Sequence, residues 1–123
     1  MAERNQNSNQ ELMQLIVKSS KVTGQVMQSI ELAQSGQIDL AEGKIDQARK
    51  ISVEAHNIQT SLIQAELRGE TAPPSLLAVH AQDHFMNCHL LLELATVFLY
   101  QIKEIEDLKA RIAKLEQVGE MHE

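Results

Sequence analysis

Apolar residues recur every three to four positions along three stretches of this chain. The first runs from about Asn9 to Gln34 and puts Leu12, Ile16, Ser19, Val22, Val26, Ile30 and Ala33 on one helical face, with Ser35-Gly36 as a stop. The second is expected to open at Asp39, whose carboxylate would cap the first turn while Glu42 completes a capping box. Its buried face reads Ala41, Ile45, Ala48, Ser52, Ala55, Gln59 and Leu62, and Gly69 closes it. After Glu70 to Pro74, either Thr71 or Ser75 starts a third helix that meets no Pro or Gly before Gly119. Three helices and two short connections predict an all-α fold, an antiparallel three-helix bundle running up-down-up.

The third helix carries more apolar residues than one groove can cover. Between Phe85 and Ile102 they occupy nearly every side, among them Met86, Leu90, Leu91, Leu92, Leu94, Val97, Phe98 and Leu99. From Ser75 to Val118 this helix would be about 66 Å long against about 43 Å for the second, so roughly its last 15 residues project past the bundle. There the pattern becomes heptads, with Ile105, Leu108, Ile112 and Leu115 at a and d among charged neighbours. A homo-oligomer built on parallel third helices would cover both features; a solvated, frayed end is the blander alternative. The expected organisation is a disordered polar tail over 1–9, a helical domain over 10–102, a coiled-coil extension over 103–118 and a flexible end over 119–123.

Composition agrees with helices and limits the function. With 123 residues, 43% hydrophobic, and only two Phe and one Tyr, the chain supports one domain with an aliphatic core. Its net charge of -6 leaves no basic stripe for nucleic acid and disfavours a membrane surface. Met1 to Gln10 is polar, with neither a signal peptide nor a membrane span, so a cytoplasmic protein is expected. The single cysteine, Cys88, is expected to be a packing residue.

Candidate chemistry concentrates in Val79-His80-Ala81-Gln82-Asp83-His84-Phe85-Met86. At about 100° per residue, Asp83 falls about 60° to one side of His80 and His84 about 40° to the other, forming one patch. On spacing alone this is catalysis, a metal site or a satisfied polar pair, because histidines four apart also bind zinc. An imidazole that is substantially neutral near pH 7 is a competent nucleophile without a dedicated base.

The run VHAQDHFM resembles the VHAQDHLM/VHGQDHLM signature of the enzyme IIA component of the lactose/cellobiose type in the bacterial phosphoenolpyruvate-dependent sugar phosphotransferase system. Glu54-Ala55-His56-Asn57-Ile58-Gln59-Thr60-Ser61-Leu62-Ile63-Gln64 resembles a second family stretch, EAHxxQTxLIQ, and the resemblance covers roughly residues 10 to 102. Departures are Phe85 in place of Leu, Asn87-Cys88 after Met86, and the extension beyond Tyr100. The resemblance implies a trimer of three-helix subunits. It also implies that His80 accepts a phosphoryl group from the phosphocarrier protein HPr and passes it to a cysteine of the IIB component. Asp83 would then lie buried at the trimer axis with a divalent cation, Mg2+ or Ca2+. The transported sugar would be a β-linked disaccharide, such as cellobiose, diacetylchitobiose or lactose; Ala81 in place of Gly leans toward the first two.

Around this centre the expectations are plainer. His80 should occupy a shallow apolar surface, with Val79, Phe85 and Met86 as candidate neighbours. His84 is expected to be structural, near the subunit seam, and His56 at most a neighbour of the site. Gln59 and Gln82 either serve a phosphoryl group or satisfy buried carbonyls, and His89 and His122 have no motif support. Two competing functions remain at this point. One is a non-catalytic oligomeric adaptor; the other is a His/Asp metal protein whose further ligands would come from the Glu54-Ala55-His56 segment.

Overall fold

The computed structural model describes residues 2–70 and 74–122, which form three helices in an antiparallel bundle: α1 (Ala2–Gln34), α2 (Ile38–Leu67) and α3 (Leu76–Met121). Helix α1 begins at Ala2, well before the expected start near Asn9, because no Pro or Gly interrupts the polar residues ahead of the apolar face and an existing helix propagates readily. The expected end over 119–123 is likewise helical as far as Met121.

Glycine ends each of the first two helices. At the end of α1, Gly36 adopts φ 86°, its N–H donates to the Ala33 carbonyl at 3.1 Å, and the Gln37 N–H donates to the Leu32 carbonyl at 2.9 Å. Gly69, with φ 73°, ends α2 in the same way through Gly69 to Glu66 and Glu70 to Ala65, both at 2.9 Å. These paired bonds satisfy terminal carbonyls, and the left-handed residue between them favours glycine.

The start of α2 corrects the capping-box expectation. Its N-cap is Gln37, with no side-chain cap bond, and Asp39 lies inside the first turn. The motif that ends α1 already commits the Gln37 backbone and leads straight into α2, so no residue is left to place Asp39 at the cap. Asp39 still sits favourably at the positive end of the helix dipole, while Glu42 pairs with Lys103 of α3. Helix α3 starts at Ser75, whose hydroxyl accepts the Ala78 N–H at 3.1 Å; Thr71, the alternative, lies outside the described residues.

Each helix contributes a seam with alternating three- and four-residue spacing. In α1 it is Leu12, Leu15, Ser19, Val22, Val26, Ser29 and Ala33; in α2 Ala41, Ile45, Ala48, Ser52 and Ala55; in α3 Ala81, Phe85, Cys88, Leu92, Ala95 and Leu99. Leu15 and Ser29 replace the expected Ile16 and Ile30, which are only half-buried. Helix α1 faces two neighbours at once, and the centre of its contact lies between them rather than on the most apolar line.

The excess apolar residues of α3 remain uncovered in the single chain. Met86, Leu90, Leu94, Val97 and Phe98 are each about half exposed or more, and every described side chain from Glu104 onward is exposed. By length and composition α3 could cross a membrane, but its inner face belongs to the bundle core.

Ser29 Oγ donates to the Ala41 carbonyl at 2.7 Å, a buried bond between α1 and α2. Ser29→Ala should cost about 1 kcal/mol in urea denaturation. Leu15→Ala, which opens a cavity at a fully buried site, should cost about 3 kcal/mol in the same measurement.

Candidate functional site

Ser75 fixes the first turn of α3 and thereby aims the next two turns, where His80, Asp83 and His84 lie. His80 is exposed, and its Nε2 is 3.1 Å from His84 Nε2, with ring centroids 4.4 Å apart at an interplanar angle of 85°. A contact between two ring nitrogens holds one proton: one Nε2 donates and the other offers its lone pair. Two charged imidazoles could not make it. A neutral imidazole nitrogen with its lone pair available is the form that acts as a nucleophile.

The side chains around His80 differ from those expected. Phe85 is buried, 3% exposed, and its ring centroid is 6.1 Å from that of His56 and 6.0 Å from that of His89. A shallow depression beside His80 is lined instead by Leu76 and Leu77. These residues stand four and three positions before His80, one turn down the same helix, so the spacing alone could have identified them. Val79 and Met86 are exposed.

Gln59 Nε2 donates to Gln82 Oε1 at 2.9 Å and approaches Met86 Sδ at 3.9 Å, tying α2 to α3. Two residues apart on a helix is about 200° of rotation, so this amide pair lies on the opposite flank of α3 from His80. On that flank an open groove of ≈ 580 Å³ runs between the start of α1, the end of α2 and the first turns of α3, lined among others by Asn9, Leu12, Leu62, Val79 and Gln82. His122 stands at the far end, as the C-cap of α3.

Asp83 is exposed, three residues before Met86 and four after Val79, on the uncovered face of α3. Among the described residues of one chain, no three His, Cys, Asp or Glu side chains are grouped to hold a metal ion. The Glu54 carboxylate turns to Lys18 Nζ at 2.8 Å, and that hydrogen bond and charge hold it below the usual carboxylate range. Neither Glu54 nor His56 supplies the ligands a His/Asp metal protein would need.

Comparisons with known proteins give the arrangement a family. The family profile "PTS system, Lactose/Cellobiose specific IIA subunit" matches residues 10–103. The lichenan-specific phosphotransferase enzyme IIA component of Bacillus subtilis (strain 168) is 33% identical over 103 residues, covering 84% of this chain and 94% of that protein. The N,N'-diacetylchitobiose-specific EIIA component of Escherichia coli (strain K12) is 35% identical over 85 residues, 69% of this chain and 73% of its own. The crystal structure of the cellobiose-specific enzyme IIA from Bacillus anthracis superposes with a TM-score of 0.78 at 37% identity, covering 81% of this chain and 92% of that one. The IIA(Chitobiose) subunit of the Escherichia coli branch, solved in complex with HPr, gives 0.70 at 29% identity over 80% of this chain and 96% of its own. This chain belongs to the lactose/cellobiose-specific IIA family of the sugar phosphotransferase system, a phosphotransfer component of sugar transport.

Cys88 takes no part in the site. Its thiol donates to the Phe85 carbonyl at 3.2 Å inside the core, and burial pushes its pKa up. At pH 8 the folded protein should resist iodoacetamide, because the thiolate is disfavoured and shielded. In denaturant Cys88 should be alkylated at the rate of a free thiol, and mass spectrometry distinguishes the two states. Rapid native labelling would place Cys88 outside the core.

Proposed function

We propose that this protein accepts a phosphoryl group from phospho-HPr on His80 and passes it to a cysteine of the IIB component, during uptake of a β-linked disaccharide such as cellobiose, diacetylchitobiose or lactose. The observation that carries this reading is the exposed His80 ring held against His84 at 3.1 Å beside an open apolar depression. A relative of the same fold was solved with HPr, and both exchange partners are proteins, which a shallow exposed nucleophile suits better than a deep pocket.

In the first transfer, the lone pair of a neutral His80 nitrogen attacks phosphorus. The new N–P bond forms as the bond from phosphorus to the donor breaks, and the electron pair leaves with the donor. In the second, a IIB thiolate attacks the same phosphorus and His80 recovers its lone pair. Such transfers rest on alignment and charge stabilisation. His84 holds the acceptor ring in place, and its N–H is free to turn to a phosphoryl oxygen once His80 is modified. Both steps belong in the cytoplasm, where a soluble donor can reach the site.

The uncovered face of α3 supports assembly into a homotrimer. Val79, Met86, Leu90, Leu94 and Val97 lie on the side opposite the core seam and are 46–63% exposed in one chain. Three copies meeting there would bury them, and Asp83, on the same face, would come to the axis. Among the described residues one chain offers a single carboxylate there and no grouped set of metal ligands; three copies would offer a set of hard oxygen donors suited to Mg2+ or Ca2+. That cation would neutralise the carboxylates, leaving the phosphoryl chemistry to His80.

Incubation with phosphoenolpyruvate, enzyme I and HPr should add one acid-labile phosphoryl group per subunit. His80→Ala should abolish it with unchanged helical circular dichroism; persistent labelling would move the acceptor to another histidine. Asp83→Leu should remain a trimer by sedimentation, become insensitive to chelators, and still be phosphorylated. A trimeric Asp83→Leu protein that accepts no phosphoryl group would make the carboxylate part of the chemistry.

A further inference from the structure

The two imidazoles of the acceptor site are spaced for more than a shared hydrogen. His80 and His84 stand four residues apart on α3, with their Nε2 atoms 3.1 Å from each other and their rings nearly perpendicular, at 85°. Zinc bonds an imidazole nitrogen at about 2.0–2.1 Å, so an ion touching both atoms at their present separation would make an N–Zn–N angle of about 100°. Opening the pair to about 3.3 Å gives the tetrahedral angle at the same bond lengths. That adjustment is a few tenths of an ångström at the tips of two side chains.

Both nitrogens come free without a change of charge. In the present contact one ring carries its hydrogen on Nε2 and donates to the lone pair of the other. When the donor ring exchanges that hydrogen to Nδ1 through water, both Nε2 lone pairs face the gap and neither ring has gained or lost a proton. His80 is exposed and His84 half-buried, so an ion arrives from the surface and keeps water in its remaining positions. Among the described residues no third His, Cys, Asp or Glu completes a ligand set with the pair, which makes this a two-ligand, exchangeable site rather than a closed structural one. Imidazole nitrogen suits zinc, copper and nickel, whereas magnesium keeps to oxygen and water. The pair therefore selects a different class of ion from the carboxylate of Asp83.

We infer that His80 and His84 chelate a transition-metal ion of the Zn2+ class, and that the bound ion and the phosphoryl group exclude each other. With Zn2+ on Nε2 and hydrogen on Nδ1, the His80 ring has no lone pair left to attack phosphorus, whichever nitrogen is the acceptor. The exclusion rests on the reading of His80 as phosphoryl acceptor; the chelate rests on the geometry of the pair alone.

The test titrates Zn2+ into the untagged full-length protein, with Mg2+ in excess to fill any oxygen site, and follows binding by calorimetry and by the histidine ring signals in NMR. One ion per subunit should bind, moving the His80 and His84 signals together and leaving those of His56, His89 and His122 in place. His80→Ala and His84→Ala should each weaken binding by about a hundredfold, because either leaves a single ring without its chelating partner. Asp83→Leu should bind as the parent does. Protein phosphorylated beforehand should bind Zn2+ no better than His80→Ala, and Zn2+ added first should slow acceptance from purified phospho-HPr until a chelator removes it. Equal affinity in the parent and in either histidine variant would overturn the chelate, as would affinity lost in Asp83→Leu, which would place the ion on carboxylates. Zn2+ binding that persists unchanged after phosphorylation would overturn the exclusion and move the acceptor away from His80, while the chelate would still stand.

Discussion

Helix α3 has two apolar faces pointing in nearly opposite directions, and the rest of the molecule is arranged around that fact. Its inner seam, Ala81 through Leu99, packs mainly on α1, which is also the main partner of α2. Its outer face, Val79 through Val97, has no partner within one chain. The apolar area on the outside is too contiguous for an ordinary solvated helix surface. A single helix thus contributes to the core on one side and leaves an apolar face uncovered on the other.

The position of His80 follows from that division. At about 100° per residue it lies on the flank between the two faces. A histidine on the inner seam would be buried and inaccessible to a protein donor; one on the outer face would be lost in an assembly. On the flank it remains exposed. Ser75 fixes the helix start, Leu76 and Leu77 form the adjoining apolar surface, and His84 restrains the ring.

The core achieves its packing with few large residues. Ala41, Ala48 and Ala55 let α2 approach its neighbours closely, and Ser29 crosses to the Ala41 carbonyl. Phe85 adds an aromatic ring to the core near the site end, with the His56 and His89 ring centroids 6.1 and 6.0 Å from its own. Five residues apart on one helix, Phe85 and His80 point about 140° apart, so Phe85 contributes to packing rather than to the reacting surface.

Sequence alone determined the number of helices, their order and most of the buried seam, because apolar spacing of three and four residues is a local property and glycine turns such as Gly36 and Gly69 are local punctuation. It also singled out His80, His84 and Asp83, whose separation along one helix fixes their relative directions. Tertiary structure decided what depends on neighbours. Leu15 and Ser29 rather than Ile16 and Ile30 occupy the centre of α1, since that choice depends on where two other helices lie. Asp39 lost its cap role because the turn before it was already committed. Phe85 went into the core and Gln82 to Gln59, leaving Leu76 and Leu77 beside the histidine. Periodicity gives the direction of each side chain about its own helix axis; only the packing of the other helices says what it meets there.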